Sequence, residues 1–91
     1  METENIQIAV RDAIQEVVAD VVEVDPAEVG WDIHFWEDLG ADSLQGIEIL
    51  SGLERRFKIT IDQRLLPEMQ DVKSTYAVVV ASLGSAGSHA G

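Results

Sequence analysis

The chain has no cysteine, only two prolines and only five aromatic side chains among its 91 residues. Without cysteine there is no disulfide and no thiolate metal site, and any thiol chemistry must use a group supplied from outside. Bases are scarce as well: six Lys and Arg stand against 17 Asp and Glu, giving a net charge of −11. Phosphate repulsion then opposes nucleic-acid binding. Long hydrophobic runs are missing too. The longest, Ala77 to Ala81, falls far short of a bilayer span, which excludes membrane insertion. Met1 is followed by Glu2 and Glu4 rather than by a basic and then an apolar stretch, so no secretory signal is expected and the expected location is cytoplasmic.

What is present suits one small domain: 46% of the residues are hydrophobic, enough for a modest core. Residues 1–42 hold twelve of the acids and one base, Arg11, whereas residues 43–91 balance five against five. Such asymmetry favours a partner with a basic surface, although charge of this size also serves solubility alone.

Apolar residues Ile6, Val10, Ala13, Ile14, Val17, Val21 and Val24 recur at three- and four-residue steps and predict an amphipathic helix from about Glu4 to Val24. Asp25-Pro26-Ala27-Glu28 reads as a stop followed by a short capped turn. Residues 29–42 show no period. A loop that long in so small a domain is functional or well anchored. Val29, Ile33, Phe35 and Leu39 are the expected anchors, Trp31 and Trp36 are expected to pin the loop rather than face a ligand, and His34 is expected on the loop surface. A second helix is predicted from Ser43 to about Arg56, with Ile47, Ile49, Leu50, Leu53 and Phe57 as its core stripe. Leu44 falls on the other face with Glu48, Ser51 and Arg55 and is a candidate docking contact. Gly46 and Gly52 each cost that helix about 1 kcal/mol against alanine. Gly46 either leaves room for a bound chain or permits close packing of helices. Lys58–Ile61 reads as extended, 62–69 as one turn limited by Pro67, and 71–83 as a last amphipathic helix. The domain is expected to span 1–84, with 85–91 a flexible tail.

Chemistry concentrates at the start of the second helix. Gly40 permits a turn, Asp42 is placed to cap the helix, and Gln45 three residues on completes a capping box. Ser43 then occupies the first helical position, beside unpaired backbone N–H groups that favour a phosphate. No activating group stands near it in sequence. A serine hydrolase is disfavoured because Ala41-Asp42-Ser43-Leu44-Gln45 lacks the Gly-x-Ser-x-Gly elbow. Asp32 to Asp42 does not follow the spacing of a calcium loop.

The run Phe35-Trp36-Glu37-Asp38-Leu39-Gly40-Ala41-Asp42-Ser43-Leu44, followed by Glu48, closely resembles the acyl carrier proteins of fatty acid and polyketide synthesis. That resemblance extends to Leu83. It implies an all-α, small four-helix bundle of three main helices plus a short third one. It also implies that Ser43 bears 4′-phosphopantetheine attached from coenzyme A by a phosphopantetheinyl transferase. The arm's thiol would hold acyl thioesters, with no catalysis by the chain itself. Acyl transferase, ketosynthase and other synthase enzymes with basic patches are the implied partners of a monomer that also shelters its tethered acyl chain. By position, Asp42, Leu44, Glu48 and Glu54 match recognition residues. The second helix departs from housekeeping fatty acid carriers, since Glu48 and Glu54 are offset by Arg55 and Arg56. This departure favours a specialised pathway. The other reading of the residues is an unmodified acidic helical interaction module.

Overall fold

α1 forms over Glu2–Val22. Its valines are weak helix formers, so packing of one face holds it: Val10, Ala13, Ile14, Val18 and Ala19 are buried. The computed structural model describes the backbone of residues 2–89 and the side chains of residues 6–84. α1 ends two residues earlier than the periodicity predicts, because Glu23 turns to φ 59° and Val24 N–H closes the end on the Ala19 carbonyl at 3.0 Å. Ile6, expected in the stripe, is 62% exposed.

Asp25 caps the single 3-10 turn Pro26–Glu28 through the predicted box. The following loop is anchored rather than loose. Val29 and Phe35 are fully buried, Phe35 N–H donates to the Gln70 carbonyl at 2.7 Å, and Lys73 N–H donates to the Trp31 carbonyl at 3.3 Å. Trp31 packs at 5.7 Å from Tyr76, with the Arg11 guanidinium 4.4 Å from its ring centre, and Trp36 meets Phe35 edge-on at 6.2 Å. Both tryptophans therefore pin the loop. His34 lies part-exposed on the loop and is held there: its Nδ1 accepts the Glu37 N–H at 3.1 Å and its Nε2 lies 3.1 Å from Gln70 Oε1.

α2 spans Ser43–Phe57 and closes on Lys58 in the left-handed conformation. Ile49, Leu50 and Leu53 enter the core, as does Gly46, but Ile47 does not: it is 39% exposed. The core stripe of α2 is thus narrower than its periodicity suggests; α1 and the short 3-10 helix Gln63–Glu68 pack against α2 and leave Ile47 uncovered. A Cβ on Gly46 would lie 2.9 Å from Trp36 Cη2, and one on Gly52 would lie 2.8 Å from Val17 Cγ1. Gly46 thus admits a loop side chain, Trp36, rather than the close approach of another helix, which Gly52 permits instead.

The Gln63–Glu68 helix begins at Asp62, whose side chain caps Arg64 N–H, and holds Pro67 inside it. α3 spans Val72–His89. At its start the Asp71 carboxylate accepts Ser74 N–H at 2.8 Å and the Ser74 hydroxyl at 2.7 Å. Burial alone would push the Asp71 carboxyl up, but these bonds from Ser74 prevail and hold it below the usual range. α3 outruns the expected end at Leu83. No proline follows, and glycine lowers helix propensity without forbidding the helix. The side chains of the expected 85–91 tail, and residues 90 and 91 altogether, lie outside the described residues. The described residues are helical or loop, with no strand, as the all-α expectation has it. Thr75 is fully buried, and its hydroxyl has no hydrogen-bond partner among the described residues.

Candidate functional site

The loop delivers the chain to Ser43 through Gly40, whose φ of 71° suits glycine, and Ala41, whose N–H donates to the Phe35 carbonyl at 3.0 Å. Asp42 is extended and caps α2: its Oδ1 accepts Gln45 N–H at 2.8 Å, and Gln45 Oε1 accepts Asp42 N–H at 3.1 Å. The capping box predicted from four residues is therefore formed. Gln45 also reaches across to α1, donating to the Val21 carbonyl at 3.5 Å. That cross-link ties the leading turn of α2 to the trailing turn of α1.

Ser43 itself is exposed at the first helical position. With Gln45 N–H taken by Asp42, the N–H groups of Ser43 and Leu44 remain as first-turn donors without an intrahelical partner. Such donors and the helix dipole together favour an anion at this end of the helix. Leu44 beside it is 65% exposed.

The expected recognition residues divide. Asp42, Leu44 and Glu48 are exposed around Ser43. Glu54 is part-buried and engaged inside the fold, where its Oε2 accepts Ile61 N–H at 2.8 Å and fixes the 58–62 linker. That bond joins α2 to the linker seven residues on, where no helical or strand periodicity relates the two, so no local signal announces it. Ile47 joins the exposed apolar surface next to Leu44, although its spacing assigned it to the core. Pairing on α2 is also uneven: Arg56 is bound to Glu16 at 2.9 Å, whereas Arg55 stands exposed over the cleft between α1 and α2.

A roomier groove, about 870 Å³, lies elsewhere among the described residues, between the 58–62 linker and α3, with Lys58, Leu65 and Val78 in its walls. Along α2 its Lys58 end is roughly 20 Å from Ser43. Size alone would select it, but the chemistry gathers at the other end of α2.

Ser43 thus stands accessible at a capped helix start on a small helical bundle. Residues 12–79 match the family model described as the phosphopantetheine attachment site. The chain is 43% identical over 77 residues to polyketide-8 synthase acyl carrier protein 1 of Streptomyces avermitilis, covering 85% of this chain and 92% of that protein. It is 35% identical to acyl carrier protein 2 of the same synthase, covering 81% and 85%. A chain in the solved structure of the ishigamide ketosynthase/chain length factor superposes with a TM-score of 0.65 at 42% identity, covering 78% of this chain and 89% of that one. This chain belongs to the acyl carrier proteins. Its cofactor is 4′-phosphopantetheine, and it is a carrier rather than a catalyst.

Proposed function

We propose that Ser43 is the attachment point of the phosphopantetheine arm and that the loaded chain presents polyketide intermediates to a ketosynthase and its companion enzymes. The observation that bears this reading is the exposed hydroxyl at the capped start of α2, within the run that resembles the family's attachment site. Loading is a phosphoryl transfer. Ser43 Oγ bonds to the pantetheine-side phosphorus of coenzyme A, the phosphoanhydride bond breaks, and adenosine 3′,5′-bisphosphate leaves. The hydroxyl proton passes to a base on the transferase. The arm then raises the effective concentration of its cargo at whichever active site docks the domain.

The names of two relatives and the ketosynthase/chain length factor neighbour support a polyketide pathway. The charge of α2 supports it as well, since the two acids and two bases of that helix cancel. Asp42, Leu44 and Glu48 are the proposed contacts for partner enzymes, with Glu54 acting first through the fold. Incubation with coenzyme A and a broad-specificity phosphopantetheinyl transferase tests the attachment. Intact mass is expected to rise by one arm in the wild-type chain and to stay unchanged in Ser43→Ala. An arm retained by Ser43→Ala, or none on the wild type, defeats the assignment.

A further inference from the structure

α1 ends against the rules of helix electrostatics. Cations stabilise a helix C-terminus and anions destabilise it, yet α1 has no base in its last turn and ends among Asp20, Glu23 and Asp25. Glu23 moreover sits at φ 59°, where glycine or asparagine is favoured. Local choices that oppose the fold in this way point to a function served at stability's expense.

Two of those acids, Asp20 and Glu23, face the Ser43 end of α2. A cleft of about 740 Å³ between the helices is lined by Asp20, Glu23, Gln45, Ile47, Glu48 and Arg55. Gln45 stands two residues from Ser43, and the exposed Leu44 and Ile47 form an apolar strip running from the serine into the cleft. A standard interface covers about 800 Å² on each partner, roughly 25–30 Å across. Any enzyme that closes over Ser43 therefore covers this cleft too.

Charge selects the chemistry of that enzyme. On α2 and its cap alone it would find a single unbalanced acid, Asp42. Glu54 is committed to Ile61 and Arg56 to Glu16, which leaves Glu48 offset by Arg55. Asp20 and Glu23 tip the same cleft to net negative. We propose that the transferase that loads Ser43 docks across both helices, seating an apolar hollow on Leu44 and Ile47 while its basic side chains reach past α2 to Asp20 and Glu23 on α1. This inference rests on Ser43 being the tether point, and the test below separates the two.

The measurement is kcat/KM for arm transfer from coenzyme A by a broad-specificity phosphopantetheinyl transferase, at about 50 and about 300 mM NaCl, across which exposed charges are progressively screened. Asp20→Asn with Glu23→Gln is expected to lower kcat/KM about three- to tenfold at low salt, through KM, with the deficit shrinking at high salt. Arg55→Ala is expected to raise it. Asp12→Asn with Glu68→Gln removes the same charge elsewhere and is expected to stay within about twofold. Because the first pair takes anions off a helix C-terminus, its melting temperature is expected to hold or rise, so a loading defect is not a folding defect. If the two double variants load alike, the docking mode is overturned while Ser43 stands as the tether. If the wild-type chain takes no arm, the tether assignment falls and the docking mode falls with it.

Discussion

At Gly52 a methyl group would arrive 2.8 Å from Val17 Cγ1, and at Gly46 it would arrive 2.9 Å from Trp36 Cη2. The distances are alike, but the neighbours are not. Val17 is β-branched and held to one rotamer on α1, so it cannot swing aside without separating the helices. Trp36 belongs to a loop, is only partly buried, and meets the glycine with the tip of its ring. Overpacking costs about 1–3 kcal/mol and the helix-propensity gain of Gly→Ala returns about 1 kcal/mol. Gly52→Ala is therefore expected to destabilise the domain by about 1 kcal/mol or more in urea denaturation, and Gly46→Ala by less. Combined with Trp36→Leu, Gly46→Ala is expected to become stabilising, because the propensity gain then meets no ring. A Gly52→Ala variant with a higher urea midpoint would contradict the contact. Neither glycine revealed its neighbour in the sequence, since both contacts join residues ten or more positions apart.

At the scale of elements, α2 is the part the sequence specified best at one end and least at the other. Its start depends on Asp42, Ser43 and Gln45 alone, so a four-residue pattern located Ser43 in advance. The short capped turn at 26–28 was legible for the same reason, whereas at 63–68 a turn was expected from Pro67 and the Asp62 cap was not. Its C-terminal half depends on partners that no local pattern identifies, such as the bond from Ile61 N–H to Glu54. The exposed Ile47 and the length of α3 escaped prediction likewise, because periodicity gives a face and not the width of what covers it. Two expectations follow here. Glu54→Ala should lower stability by about 1.5–3 kcal/mol, the range for hydrogen bonds to charged groups, whereas Glu48→Ala should stay within about 0.5 kcal/mol; chemical denaturation of both variants separates a fold residue from a surface one. The second concerns the Gln63–Glu68 helix. The Arg64 guanidinium holds the Asp62 carboxyl at about 2 against an ordinary 3.8 through direct hydrogen bonds at 2.7–3.1 Å. A depressed folded-state value means that stabilisation is complete above about pH 4 and is lost as pH falls towards 2. Arg64→Ala should return the Asp62 titration, followed by NMR of its carboxyl carbon, towards 3.8.

Over the whole molecule, the net charge of −11 makes self-repulsion a term in folding. The ion pairs among the described residues that join distant parts of the chain are few: Arg56 with Glu16 at 2.9 Å and Lys73 with Asp32 at 3.6 Å, both exposed. Exposed pairs contribute little, typically less than about 1 kcal/mol, whereas the excess acids repel one another within a bundle whose radius of gyration is 12.6 Å. The Debye length falls from about 30 Å at 0.01 M salt to about 3 Å at 1 M, so it passes through this molecular radius near 0.1 M. Repulsion across the bundle should then be relieved over that range while little pairing is lost. The melting temperature is expected to rise by several degrees between about 0.02 and 0.5 M NaCl, since in a domain of this size each kcal/mol corresponds to roughly 4–8 °C. The proposed docking onto Asp20 and Glu23 requires the opposite response, because the screening that stabilises the fold weakens the attraction of a basic partner. Thermal melts and loading rates collected over one salt series should therefore diverge, with stability climbing as kcat/KM falls. A melting temperature that drops with added salt would mean that the surface pairs outweigh the repulsion, contrary to the charge distribution.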